Sequence, residues 1–154
     1  MQLMTFTLGG IDFGIPLKDL VLVEGRKNEI VEVPAASAYI KGIVTIRDDI
    51  VPVYSLASRF EYSEEKLRYL IIVNVEGMRL GIEADRVNSV VDTEKAEVLP
   101  VPPLLSRRDN YLKSIVASSQ KRFIILIDMS SLIPHEEKAK IHQMVADSVI
   151  KPTD

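Results

Sequence analysis

Cysteine is absent from the 154 residues, and histidine occurs only twice. The first absence excludes a disulfide framework, a thiolate metal site and a cysteine nucleophile, and it fits a reducing compartment. The two histidines, His135 and His142, share one helical stretch. Seven residues of helix separate them by two turns, roughly 10 Å, too far to share one metal ion. A Ser-His-Asp site would need a serine brought to that peripheral helix, and no G-x-S-x-G elbow is present. Neither a P-loop nor a G-x-G-x-x-G turn occurs, so no sequence motif for holding a phosphate exists. No apolar run approaches the ~20 residues of a membrane-spanning helix. The start, MQLMTFTLGG, lacks the basic and long apolar regions of a secretory leader. These absences predict a soluble, cytoplasmic protein. An excess of positive charge is also missing: the net charge is −3 with the signs mixed. The basic clusters, Arg107-Arg108 and Lys121-Arg122, are too short for the stripe that nucleic-acid binding requires.

What is abundant is short apolar segments. LMTFTLG (3–9), FGIPL (13–17), DLVLVEG (19–25), IKGIVTIR (40–47) and IVPVYSL (50–56) read as strands. YLIIVNV (69–75), RLGIEA (79–84), RVNSVVD (86–92), LKSIVAS (112–118) and RFIILIDM (122–129) continue the series. Gly9-Gly10 and Glu76-Gly77 suit hairpin turns, where glycine supplies positive φ at low cost. Pro52 interrupts an apolar run and predicts an edge or a bulge there. The acids read as structural. Asp48-Asp49 and Glu64-Glu65 are neighbours whose side chains diverge in a strand, so they form no carboxylate dyad. Asp85 and Asp128 suit turn bonds to the backbone. A short helix is expected at Leu56–Phe60. From 134 to 150 the period becomes helical, with Ile141, Met144, Val145 and Val149 on one face. That face predicts a helix docked on the body of the protein.

The chain also repeats itself. Gly10–Ile15 recurs as Gly77–Ile82, Tyr39–Val44 as Tyr111–Val116, Val33-Pro34 as Val101-Pro102, and Ile50–Val53 as Phe123–Leu126. A duplicated unit of about five strands predicts two small barrels related by a pseudo-twofold, chance likeness among β-rich segments being the alternative. The expected class is therefore mainly β, two five-stranded barrel subdomains plus a C-terminal α-helix.

The order of the motifs resembles the CheW family of chemotaxis coupling proteins. The family pattern F-x-L-G, Y/F-G-I, P-A-x-I-K-G, N-L-R-G, I-I-P-V-x-D-L, G-I-x-V-D-x-V and I-L-x-D appears here in sequence. Its counterparts are Phe6–Gly9, Phe13–Ile15, Ala38–Gly42, Thr45–Asp48, Ile50–Leu56, Gly81–Val87 and Ile125–Asp128. The resemblance spans about residues 3 to 135. It implies SH3-like barrels, the first over about 14–68 and the second over about 76–133 with a strand exchanged from 3–13. It implies no enzymatic activity and no cofactor. It also implies an adaptor joining the cytoplasmic tip of a chemoreceptor to the regulatory domain of a CheA-type histidine kinase, recruited to membrane-bound receptor arrays. Receptor contact is expected in a groove between the barrels, with Arg47 as polar anchor, Lys41 nearby and Gly42 allowing close backbone approach. Kinase contact is expected at apolar barrel ends: Ile30 and Val33 in the first barrel, Leu99, Val101 and Leu104 in the second. The sequence departs from the family at Asp48, where the pattern has glycine, at Ser55, where it has aspartate, and near Leu22, where it has glutamate. Two rivals are a stand-alone β-barrel binding or scaffold protein outside chemotaxis, and a hydrolase with a loop-built site.

Overall fold

The computed structural model describes residues 1–27, 29–33, 39–101, 112–133 and 135–149. Pro34, Ala38, Pro102, Leu104, Arg107, Arg108, Tyr111, Pro134 and the side chain of Val149 lie outside the described residues. In chain order the elements are β1 (Gln2–Leu8), β2 (Ile11–Pro16), β3 (Leu20–Gly25), β4 (Ile40–Ile46), β5 (Asp49–Tyr54) and α1 (Leu56–Phe60). They continue with β6 (Tyr69–Val75), β7 (Met78–Ala84), β8 (Arg86–Asp92), β9 (Glu97–Pro100), β10 (Leu112–Ala117), β11 (Phe123–Ile127), α2 (Met129–Leu132) and α3 (His135–Val149).

Two sheets result, ordered β8-β1-β2-β11-β10-β9 and β3-β6-β7-β5-β4. Matching β1, β2, β3, β4, β5 with β6, β7, β8, β10, β11 turns one order into the other, with β9 as the extra edge strand. That is the topological signature of the expected pseudo-twofold. The parallel pairs β5·β7 and β11·β2 are equivalent under this match, and both β4·β5 and β10·β11 carry an irregularity near their start, at Ile40/Gly42 and Leu112/Ser114. Against an expected division into 14–68 and 76–133 with one exchange, from 3–13, the strand pairing exchanges two hairpins. The hairpin β1–β2 joins the later strands, and the hairpin β6–β7 joins the earlier ones. Exchange is thus reciprocal, because each parallel partner, β2 for β11 and β7 for β5, comes from the other repeat.

Three two-residue turns close hairpins between Leu8 and Ile11, Val75 and Met78, and Ile46 and Asp49. Both central residues have positive φ in each: Gly9 and Gly10, Glu76 and Gly77, Arg47 and Asp48. This geometry matches strand twist but favours glycine or asparagine. The third turn has neither. An L-residue in this region costs roughly 1–2 kcal/mol, less for aspartate. Asp48→Gly is therefore expected to stabilise the protein by about 0.5–1 kcal/mol, raising Tm by about 1–4 °C. A melt with Tm unchanged or lowered would show that Asp48 makes a compensating contact.

Pro52, where an edge or a bulge was expected, lies in a strand that is inner by sheet order. Counting alternately from the closing pair Ile46↔Asp49, the pair Ile43↔Pro52 is not mutually hydrogen-bonded, so the missing N–H would face β7. Pairing with β7 begins one residue later, at Val53.

The largest apolar cluster fills the seam between the sheets. Met4, Phe6, Leu8, Phe13, Ile15 and Ile127 come from one sheet, and Tyr54, Ile71, Val73, Leu80 and Ile82 from the other. Leu56, Met129, Leu132 and Ile141 from the helices complete it, with Met144 packed alongside. The helix α3 is thus docked through the face its period predicts, and Lys138 Nζ holds Glu76 Oε2 at 2.6 Å. Each sheet keeps a smaller core of its own, Val44, Ile46, Val51, Val53, Leu70 and Ile72 in one, and Leu3, Val116, Ile124 and Leu126 in the other.

Candidate interaction surfaces

The five candidate residues described at the five-stranded sheet, called the first below because it holds β4 and β5, fall on β4, the turn after it and one neighbouring segment. Arg47 occupies the β4–β5 turn, with its side chain 77% exposed. Its Nε is 4.0 Å from Glu24 Oε1, a loose contact that leaves the guanidinium available. Lys41 lies at the opposite end of β4. Six residues of strand place it roughly 20 Å from Arg47, so the two do not form one anchor. Its Nζ is 2.9 Å from Glu83 Oε1 and 3.4 Å from Glu64 Oε2. Gly42 does admit a close backbone approach, and the approaching backbone is the chain's own. A Cβ there would lie 2.3 Å from the carbonyl oxygen of Val31. Val31 and Ile43 exchange both backbone hydrogen bonds, at 2.8 and 2.9 Å.

Ile30 and Val33 flank that bridge, and both are half-buried. Ile30 packs on the smaller core of the first sheet. In the second sheet the equivalent position is held by β9, where Leu99 pairs with Ile115 on β10. Leu99 and Val101 are likewise half-buried. The four described kinase candidates thus sit on matching edge segments, one per sheet. Leu104 lies outside the described residues.

The seam between the sheets holds the largest apolar cluster, and a hollow at one end of it is lined by Val75 and Glu76 from one sheet and Lys113 and Ile127 from the other. The apolar hollow lies elsewhere, on the β2–β11–β10–β9 face, lined by Ile11, Leu99, Ile115, Phe123 and Ile125. Phe123 is 64% exposed. Asp12 and Arg122 form an ion pair at its rim.

Three described titratable groups are shifted, each by its local packing or hydrogen bonds. Burial raises the Tyr54 phenol to about 12, so it is a neutral hydroxyl, and it donates to the Leu132 carbonyl at 3.4 Å. The hydrogen bond from Ser55 is the main cause that holds Glu64 below the usual carboxylate range. Burial pushes Asp128 up, but hydrogen bonds from Ser130 and Ser131 outweigh it and leave the carboxyl lowered. Asp128 caps the N-terminus of α2 in the turn role expected of it, and Asp85 accepts from the Gly9 amide. Among the described residues no three His, Asp or Glu side chains converge to hold a metal ion. No described helix is long and apolar enough to cross a membrane.

The sequence profile of the CheW-like domain matches residues 2–137. The chain belongs to the CheW-like family. The chemotaxis protein CheW of Treponema pallidum is 30% identical over 151 residues, covering 91% of this chain and 86% of that one. Its counterpart in Klebsiella aerogenes is 25% identical over 146 residues, covering 91% and 86%. Among solved structures, the scaffolding protein TtCheW from Thermoanaerobacter tengcongensis superposes with a TM-score of 0.67 at 25% identity, covering 82% of this chain and 87% of that one.

The departures from the CheW pattern acquire physical content from the geometry. Ser55 replaces an aspartate as N-cap of α1 and accepts from the Ser58 amide at 3.1 Å. Its hydroxyl also donates to Glu64 at 2.7 Å, which an aspartate would repel. Leu22 packs against the core of the first sheet. A cluster the motifs did not single out is Glu83 with Arg26, Lys41 and Glu64. Its signal was an acid between Ile82 and Ala84 in a strand buried on both faces.

Proposed function

We propose that this chain is a non-enzymatic chemotaxis adaptor that couples chemoreceptor cytoplasmic tips to the regulatory domain of a CheA-type histidine kinase. It would act in the cytoplasm, at membrane-bound receptor arrays. Family membership and the names of its relatives support the reading. The carrying observation is the pair of equivalent apolar edges, Ile30 and Val33 beside β4, Leu99 and Val101 on and after β9. Two such edges at opposite repeats let one molecule engage two neighbours at once, which suits an assembly held by many weak contacts. The hollow at Phe123 extends the Leu99 edge and supplies the apolar area such a contact needs.

The receptor reading rests on Arg47. Its side chain is free to reach a carboxylate or a backbone carbonyl on an incoming helix. Lys41 and Gly42 are engaged by the chain's own Glu83, Glu64 and Val31, and serve the same surface by fixing β4 beneath it. Titration against a kinase regulatory domain and a receptor-tip fragment, separately and then together, is expected to give two binary complexes and one ternary complex. Binding to neither would overturn the adaptor reading. Arg47→Ala is expected to weaken receptor-tip binding about tenfold, roughly 1.4 kcal/mol. Because the side chain is solvated, Tm should stay within about 2 °C of the parent. Equal receptor affinity for the two proteins would remove Arg47 from the interface.

A further inference from the structure

Glu83 is only 2% exposed, yet it carries a carboxylate into the sheet at β7. Two cations converge on it from different elements. Arg26, just past the end of β3, places Nε 2.8 Å from Oε2. Lys41, at the start of β4, donates from Nζ to Oε1 at 2.9 Å. The Arg26 contact is an ion pair not aligned as a hydrogen bond, whereas the Lys41 contact is both. Arg26 is held further by its amide, which donates to the Arg68 carbonyl at 2.8 Å. Lys41 also meets Glu64, itself tied to Ser55.

Arg26 and Lys41 are the two ends of one connection, the stretch that carries Ile30 and Val33. Midway, its Val31 is bridged to Ile43 over Gly42. One buried carboxylate therefore pairs with a cation on either side, in sequence, of the described segment 29–33 that carries the apolar edge. A buried ion pair of this kind adds little net stability, since desolvation offsets the attraction. Its effect is to select one arrangement of the groups it joins. Both cations are partly exposed, so each can return to water if the carboxylate is lost, and the core beneath remains apolar and packed.

We propose that Glu83 is the positioning residue of the Ile30–Val33 docking edge, acting through Arg26 and Lys41 and touching no partner itself. The proposal rests on the adaptor reading for the identity of the partner, the kinase regulatory domain. The clamp itself is open to test without any partner.

Glu83→Gln keeps the shape and the acceptor facing Lys41 but turns an amide donor toward the Arg26 donor. In the full-length protein, hydrogen exchange at the Val31 and Ile43 amides is expected to quicken about tenfold or more, while the β6 amides of Ile71, Ile72 and Val73 stay within about twofold. Arg26→Gln, which alters a partly exposed residue, is expected to give the same local pattern and carries the test if the first variant folds poorly. Kinase-domain affinity should fall about tenfold in both. Unchanged exchange at Val31 and Ile43, or acceleration spread evenly over β6 and β7, would overturn the proposal. So would local loosening with full kinase affinity. If the parent protein binds no kinase domain, the adaptor reading fails on that measurement, and the exchange pattern alone still judges the clamp.

Discussion

Phe6→Ala is expected to cost about 3–5 kcal/mol, the usual range for truncating a fully buried aromatic. Phe6 has no exposed surface and stands on β1 at the centre of the seam. Its ring stacks on Phe13 at 5.8 Å, and Phe13 stacks on Phe60 of α1 at 5.2 Å. The three rings cross from the six-stranded sheet to the helix that follows β5 of the five-stranded one. Truncation removes the first ring and leaves a void that the two sheets cannot both collapse around. For a chain of this size each kcal/mol shifts Tm by about 2–4 °C, so a fall of roughly 10 °C is expected. Because the seam core draws on both sheets, the loss should lower a single transition. Calorimetry showing two separate transitions, only one of them shifted, would contradict a shared core.

Gly42→Ala is the second large effect, expected at about 2–3 kcal/mol. The Val31 carbonyl stands 2.3 Å from where the new methyl would go, and a backbone atom cannot swing aside as a side-chain tip can. Overpacking alone costs roughly 1–3 kcal/mol. Relieving it by moving the 29–33 segment away breaks the two hydrogen bonds between Val31 and Ile43, each worth about 1 kcal/mol. The equivalent residue in the second repeat is Ser114, which pairs across to Pro100 and tolerates its side chain there. The same substitution in the two repeats thus separates close approach from mere strand membership. Gly42→Ser with parent-like Tm in a thermal melt would show that the segment has room to shift.

The strands were legible because alternating and continuous apolar runs bounded by glycine, proline and charge have few other solutions. Both glycine hairpins, α1 and the docked face of α3 followed from equally local signals. β9 was not legible as a strand: it is four residues long, ends at Pro100, and reads as an apolar patch among prolines. The repeat was visible, but not which copy of each hairpin joins which sheet, since that depends on pairing between residues far apart in sequence. The same limit governed the surfaces. Arg47 at a turn between two strands was readable as exposed. The role of Lys41 was not, because its partner Glu83 lies forty-two positions away.

The reciprocal placement of the two hairpins sets an order of events for a chain emerging from the ribosome. Every strand of the five-stranded sheet is available once Ala84 has been made. The hairpin β1–β2 must wait, with the β2 flank open, until Phe123–Ile127 arrives to lie beside it. β2 is thus among the last strands to find its permanent neighbour, and a chain interrupted before position 123 would leave that flank uncovered.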